Sequence, residues 1–283
     1  MRRPRKDRAT LRGLFAAGLL CAAFATPAAL AQGHDDRAPH ASDAGEPPWS
    51  QADAIYGAEA MDAARHGVRH DMGAMTQTMV MADRLEVASA DEADGAVWDI
   101  QGWYGGDVDK LWIKSEGDYS FETDDFEEAE LQALWSHAIS PYFDLQTGVR
   151  YDFEPGGLAH AVVGVQGLAP YWFEVDAAAF LSTDGDLTAR FEAEYDLRLT
   201  QRLILQPRAE VEMSAQDIPE LGIGSGVSRI DAGFRLRYEF VREFAPYVGF
   251  EWRTYPARTG DMIAASGEDE SQGVAVIGLR AWY

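Results

Sequence analysis

Beyond residue 108 the chain alternates apolar and polar residues with a period of two. In 187–199, Leu187, Ala189, Phe191, Ala193, Tyr195, Leu197 and Leu199 share one face, and Thr188, Arg190, Glu192, Glu194, Asp196 and Arg198 share the other. Successive side chains point to opposite sides in an extended strand, so this period predicts β-structure. Phe143, Leu145, Thr147, Val149, Tyr151 and Phe153 oppose Asp144, Gln146, Arg150 and Asp152 in the same way. Ile230, Ala232, Phe234, Leu236, Tyr238 and Phe240 oppose Arg229, Asp231, Arg235, Arg237 and Glu239. The pattern predicts ten strands, with eight or twelve left open: near 108–117, 126–137, 142–153, 159–167, 171–180, 187–199, 203–213, 228–240, 246–254 and 273–283.

Such lengths suit tilted membrane-spanning strands of about 9–11 residues. The connections alternate between short ones, such as 138–141 and 200–202, and longer ones, such as 214–227 and 255–272. Outer-membrane barrels have short periplasmic turns and longer external loops. The prediction is therefore an all-β, antiparallel up-and-down transmembrane β-barrel with both ends in the periplasm. Tyr142, Tyr171, Trp172, Trp252 and Tyr283 fall near strand ends, where interfacial aromatic girdles sit. A soluble β-sandwich also alternates, but its turns come about every 8–12 residues. The polar faces bring acids such as Glu130, Asp152, Glu192 and Glu210 close to bases such as Lys114, Arg150, Arg190 and Arg208. A salt-bridged filling is the favoured reading, because buried charges need partners. A cation path lined by carboxylates is the other.

The N-terminus changes the picture. Arg2, Arg3, Arg5, Lys6, Arg8 and Arg12 precede an apolar run, Leu14 to Phe24, and a small-residue site, Ala29-Leu30-Ala31. This predicts a secretory signal over 1–31. The run is shorter than the roughly 20 residues a spanning helix needs. Cleavage after Ala31 removes Cys21, the one cysteine, and with it any disulfide or thiolate site. It also leaves a mature chain more acidic than the −23 of the whole, which excludes nucleic acid as a partner. Residues 32–94 are predicted as a periplasmic extension, mostly disordered, and 95–107 as a lead-in to a barrel over 108–283.

Five of the eight methionines and two of the six histidines lie between residues 61 and 81. Thioether sulfur is a soft donor suited to Cu(I), and imidazole accepts either copper state or zinc. Methionine also avoids the irreversible oxidation to which thiolates are open in an oxidising compartment. The candidate metal ligands are Met61, His66, His70, Met72, Met75, Met79 and Met81, with Cu(I) favoured and Cu(II) second. Met72, Met75 and Met79 also have the spacing of an apolar helix face. Gly67 and Gly73 weaken a helix, which favours a flexible segment. His160, on a predicted inner face, and Met213 and Met262, near outer loops, are lesser candidates. Ser136 and His137 are adjacent in a strand and point to opposite faces, and no nucleophile stands beside a base, so no enzymatic activity is expected.

Several segments carry a family likeness: Val80-Met81-Ala82-Asp83-Arg84-Leu85-Glu86, Trp98-Asp99-Ile100-Gln101-Gly102-Trp103-Tyr104-Gly105-Gly106-Asp107, and Lys110-Leu111-Trp112-Ile113-Lys114-Ser115-Glu116-Gly117. Leu134-Trp135-Ser136, Tyr142-Phe143-Asp144, Gln146 through Asp152 and Tyr195-Asp196 continue it. Everything after about Met79 resembles the CopB/PcoB family of outer-membrane copper resistance proteins. The resemblance implies an outer-membrane barrel of a Gram-negative bacterium, an N-terminal Met/His region that binds copper, and a periplasmic multicopper oxidase as a working partner. Family members often repeat Met-Asp-His-type blocks; this chain has Met61-Asp62 and His70-Asp71-Met72 but few repeats, which points to one or two sites. A structural or adhesive barrel without metal function is the alternative.

Overall fold

The computed structural model describes residues 50–72, 75–90, 94–267 and 269–283. They divide near residue 77 into a helical segment and a barrel. The predicted leader and residues 32–49 of the predicted extension lie outside the described residues.

The barrel strands are β1 Gln77–Ala90, β2 Asp94–Gly105, β3 Asp109–Ser120, β4 Asp125–Ala138, β5 Phe143–Glu154 and β6 Leu158–Ala169. They continue as β7 Phe173–Ser182, β8 Leu187–Glu194 with Leu197–Arg198, β9 Leu203–Ser214, β10 Gly226–Tyr238, β11 Phe244–Thr254 and β12 Ser271–Trp282. Each pairs with its neighbours in chain order, and β1 pairs antiparallel with β12, Met81 opposite Trp282, so the sheet closes on itself with twelve strands. Val80 and Tyr283 exchange both backbone hydrogen bonds, at 2.9 and 2.8 Å, and extend the closure to the last residue. Closure leaves no sheet edge, so every strand can satisfy its backbone groups within lipid.

All ten predicted strands are present within a few residues of their expected limits. Two more, β1 and β2, occupy the predicted extension and lead-in. In β1 the pairing register shifts between Ala82 and Leu85. A bulge places one extra residue in the strand and breaks the period of two. Met79, Met81 and Asp83 therefore face the lumen together with Arg84 and Glu86. In β2 the inward side carries Val97 and Trp103 beside Asp99 and Gln101, so polarity does not separate its faces. β8 is interrupted at Tyr195-Asp196. Tyr195 donates to the Pro207 carbonyl, and Pro207 has no N–H with which to answer.

The molecule is apolar outside and polar within. Ile113, Val149 and Val163 are exposed at mid-strand positions. Aromatics ring both ends: Tyr104, Trp135, Tyr142, Tyr171 and Trp282 at the end holding the chain termini, and Phe121, Phe126, Tyr151, Phe153 and Trp252 at the other. Glu130, Arg150, Arg190, Arg208, Glu210, Glu212, Arg235 and Arg237 are buried inside. Arg190 reaches Glu116 at 2.6 Å and Glu130 at 3.3 Å, Arg235 reaches Glu86 at 2.6 Å, and Arg229 reaches Glu212 at 3.0 Å. Leu134, Val162, Ala178 and Phe180 form a small apolar cluster, with Trp112 packed against it. The Arg150 guanidinium lies 4.7 Å from the Phe180 ring centre.

Ahead of the barrel, a one-turn helix, α1 Asp53–Tyr56, leads to α2 Ala58–Met72. The sequence predicts disorder here. Instead, four alanines in the first half of α2 supply helix propensity that offsets Gly67, whose cost is about 1 kcal/mol. α3 Ala257–Ser266 lies in the long connection between β11 and β12. Among the described residues no helix is long and apolar enough to cross a membrane.

Candidate metal site

The seven candidate ligands are divided between the two units. α2 carries Met61, His66, His70 and Met72. His66 and His70 stand one turn apart and are both exposed, with His70 Nδ1 3.0 Å from Asp71 Oδ1. Arg65, next to His66, donates to both Asp53 carboxylate oxygens at 2.6 and 3.1 Å and ties α2 to α1. That hydrogen bond holds the Asp53 carboxyl below its ordinary pKa. Met61 is half-buried, and Met75 is exposed in the link that follows the helix.

Met79 and Met81 belong to the barrel. Two residues apart on β1, both line a lumenal cavity of about 430 Å³ at the end where the chain enters and leaves. Eight carboxylates and two basic side chains line it as well. Several of these acids are neutralised: Asp144 by Lys110 at 2.8 Å, Glu192 by Arg208 at 2.8 Å and Glu116 by Arg190 at 2.6 Å. Asp99 and Glu174 have no ion-pair partner among the described residues. Arg280 spans the site from β12. Its Nη2 donates to Met81 Sδ at 3.5 Å, and its Nε lies 2.7 Å from Asp83 Oδ1. No histidine among the described residues lines the cavity. It thus offers soft sulfur within an excess of negative charge, a setting for a soft cation.

Sequence reasoning missed Asp83, Asp99, Glu174 and Arg280 as a group. Only barrel closure brings β1 and β12 to the same wall, and the bulge hides which β1 residues face inward. The lesser candidates stand apart. His160 is buried against Phe180, with Nε2 2.9 Å from Asp152 Oδ2. Met213 lies in β9 and Met262 in α3. Ser136 is buried and donates to Asp144, while His137, exposed on the other face, pairs with Asp109 at 2.8 Å. Among the described residues no group of three or more His, Cys, Asp or Glu side chains converges as metal ligands.

The family model described as copper resistance protein B precursor (CopB) matches residues 76–283. Copper resistance protein B of Escherichia coli is 44% identical over 206 residues, covering 72% of this chain and 69% of that protein. The chain belongs to the CopB family. A copper resistance protein B homolog of Pseudomonas syringae pv. tomato is likewise 44% identical, over 204 residues. Among solved structures, the NanC porin is 11% identical, with 72% of this chain and 99% of that one covered at a TM-score of 0.48. The KdgM porin is 10% identical, with 72% and 98% covered at 0.44. Membership of the CopB family gives the chain a role in copper resistance, and its barrel belongs to the outer membrane. Of the seven candidate ligands, Met79 and Met81 lie inside the CopB match, and the other five precede it.

Proposed function

We propose that the chain binds copper and contributes to copper resistance by sequestering the metal or moving it across the outer membrane. Its ligands are Met61, His66, His70, Met72, Met75, Met79 and Met81. Cu(I) is the favoured ion, because thioethers outnumber imidazoles, and His66 and His70 extend the set to Cu(II). The helical segment works in the periplasm, and a multicopper oxidase there exchanges copper with it. The observation that carries this reading is the exposed pair His66 and His70, one turn apart on α2, within the stretch that holds five of the eight methionines.

The test is competitive Cu(I) and Cu(II) titration of the purified mature chain. The comparison protein has the five methionines replaced by leucine and the two histidines by alanine. Binding by the native chain and its loss in the variant, together with lower copper tolerance of cells carrying the variant, are the expected results. Equal titrations would overturn the reading and leave a structural or adhesive barrel.

A further inference from the structure

Resting on the copper reading above, we propose that Met79, Met81 and Asp83 form a binding site for a soft monovalent cation inside the barrel mouth, with Arg280 as its resident counter-cation. The three residues are successive inward positions of β1 and line the same cavity. Two sulfurs and one carboxylate suit Cu(I) or Ag(I), which favour thioethers. Hard cations such as Mg²⁺ and Ca²⁺ require oxygen ligands in larger number. Asp83 Oδ1 is buried and has no hydrogen-bond partner, although Arg280 Nε lies 2.7 Å away, a contact too poorly aligned to form one. That oxygen is thus held by charge alone and is open to a better partner.

Arg280 touches both the sulfur and the carboxylate. It supplies the positive charge that a bound metal ion would supply. Exchange of one unit charge for another keeps Asp83 balanced, and the displaced guanidinium has an acceptor at hand. Glu174, without an ion-pair partner, lines the same cavity. Loading the site therefore means an exchange at β12, in which Arg280 turns away from β1 as the ion arrives. This site differs in chemistry from the helical segment, because it has no imidazole and favours monovalent ions over Cu(II).

The full mature chain in detergent is titrated with Ag(I), a redox-stable stand-in, and with Cu(I) held by a competing chelator. Three variants are compared. One is Met79→Leu with Met81→Leu. Another combines Met61→Leu, His66→Ala, His70→Ala, Met72→Leu and Met75→Leu, and the third is Arg280→Gln. The five-residue variant is expected to keep one equivalent of Ag(I), and the β1 pair to lose one. Arg280→Gln is expected to bind more tightly, by about fivefold or more, the screened effect of removing a unit charge about 4 Å away. Carbon-13 methyl signals of Met79 and Met81 should shift with Ag(I) in the native chain, a readout independent of how well any variant folds. Loss of all Ag(I) binding in the five-residue variant, with unmoved Met79 and Met81 signals, would overturn the lumenal site and leave copper binding by the helical segment standing. No Ag(I) or Cu(I) binding by the native chain would overturn both.

Discussion

Arg190 crosses the lumen from β8 to carboxylates on strands that β8 does not touch, Glu116 on β3 and Glu130 on β4. Its guanidinium also lies 3.4 Å from Glu210. An arginine suits this position because its planar fork serves several carboxylates at once, where a lysine presents a single point of charge. A buried ion pair adds little net stability as a whole, since desolvation offsets much of the attraction. Removing one member is another matter, because the remaining charges stay buried without compensation. Arg190→Ala is expected to lower the free energy of unfolding by about 3–5 kcal/mol. Urea titration of the protein in lipid vesicles, followed by tryptophan fluorescence, checks this. Arg190→Lys should lose less. An unchanged midpoint for Arg190→Ala would mean that water already screens the lumen.

At the scale of the element, most strands could be read from the sequence because their two faces differ in polarity. β5, with Val149, Tyr151 and Phe153 outside and Arg150 and Asp152 inside, is the plainest case. β1 could not be read that way. The bulge between Ala82 and Leu85 shifts the parity of inward positions from odd to even within one strand. The same shift concealed the site: sulfur at 79 and 81 was visible, but its direction was undefined until the segment was known to be a strand. β2 hides for a different reason, since Trp103 and Val97 face the lumen beside Asp99 and Gln101. α2 was obscured by Gly67, whose cost is met locally by alanines and by the Arg65–Asp53 clasp. The boundary has a direct test. A chain starting at residue 76 is expected to refold with the heat-modifiable gel migration of a closed barrel. A chain starting at residue 95 lacks β1 and is expected to lose that migration. Equal behaviour would show that β2 and β12 can pair without it.

Over the whole molecule, the distribution of polarity is the reverse of a soluble protein's. Aliphatic side chains lie outside between two aromatic rings, and charge is gathered in the interior. The acidic excess of the chain, −23 overall, is partly concentrated where the cavity beside Met79 and Met81 opens. Deeper in, Arg190, Arg208 and Arg229 fill the section between this cavity and a second one of about 240 Å³ toward the other end. Planar-bilayer recordings are therefore expected to show little conductance from the native chain and a clear rise when Arg190 and Arg208 are both replaced by alanine. Wide native conductance would contradict a packed lumen. The join between β1 and β12 has a further consequence, for assembly. The first strand to be synthesised must wait for the last, because the two lie almost the whole barrel apart in sequence. Until Trp282 arrives opposite Met81, each presents a row of unanswered amide and carbonyl groups that invites a foreign strand. The wall that carries Met79 and Met81 is thus the final part of the barrel to take shape, and a newly inserted chain acquires that surface only at the moment the cylinder shuts.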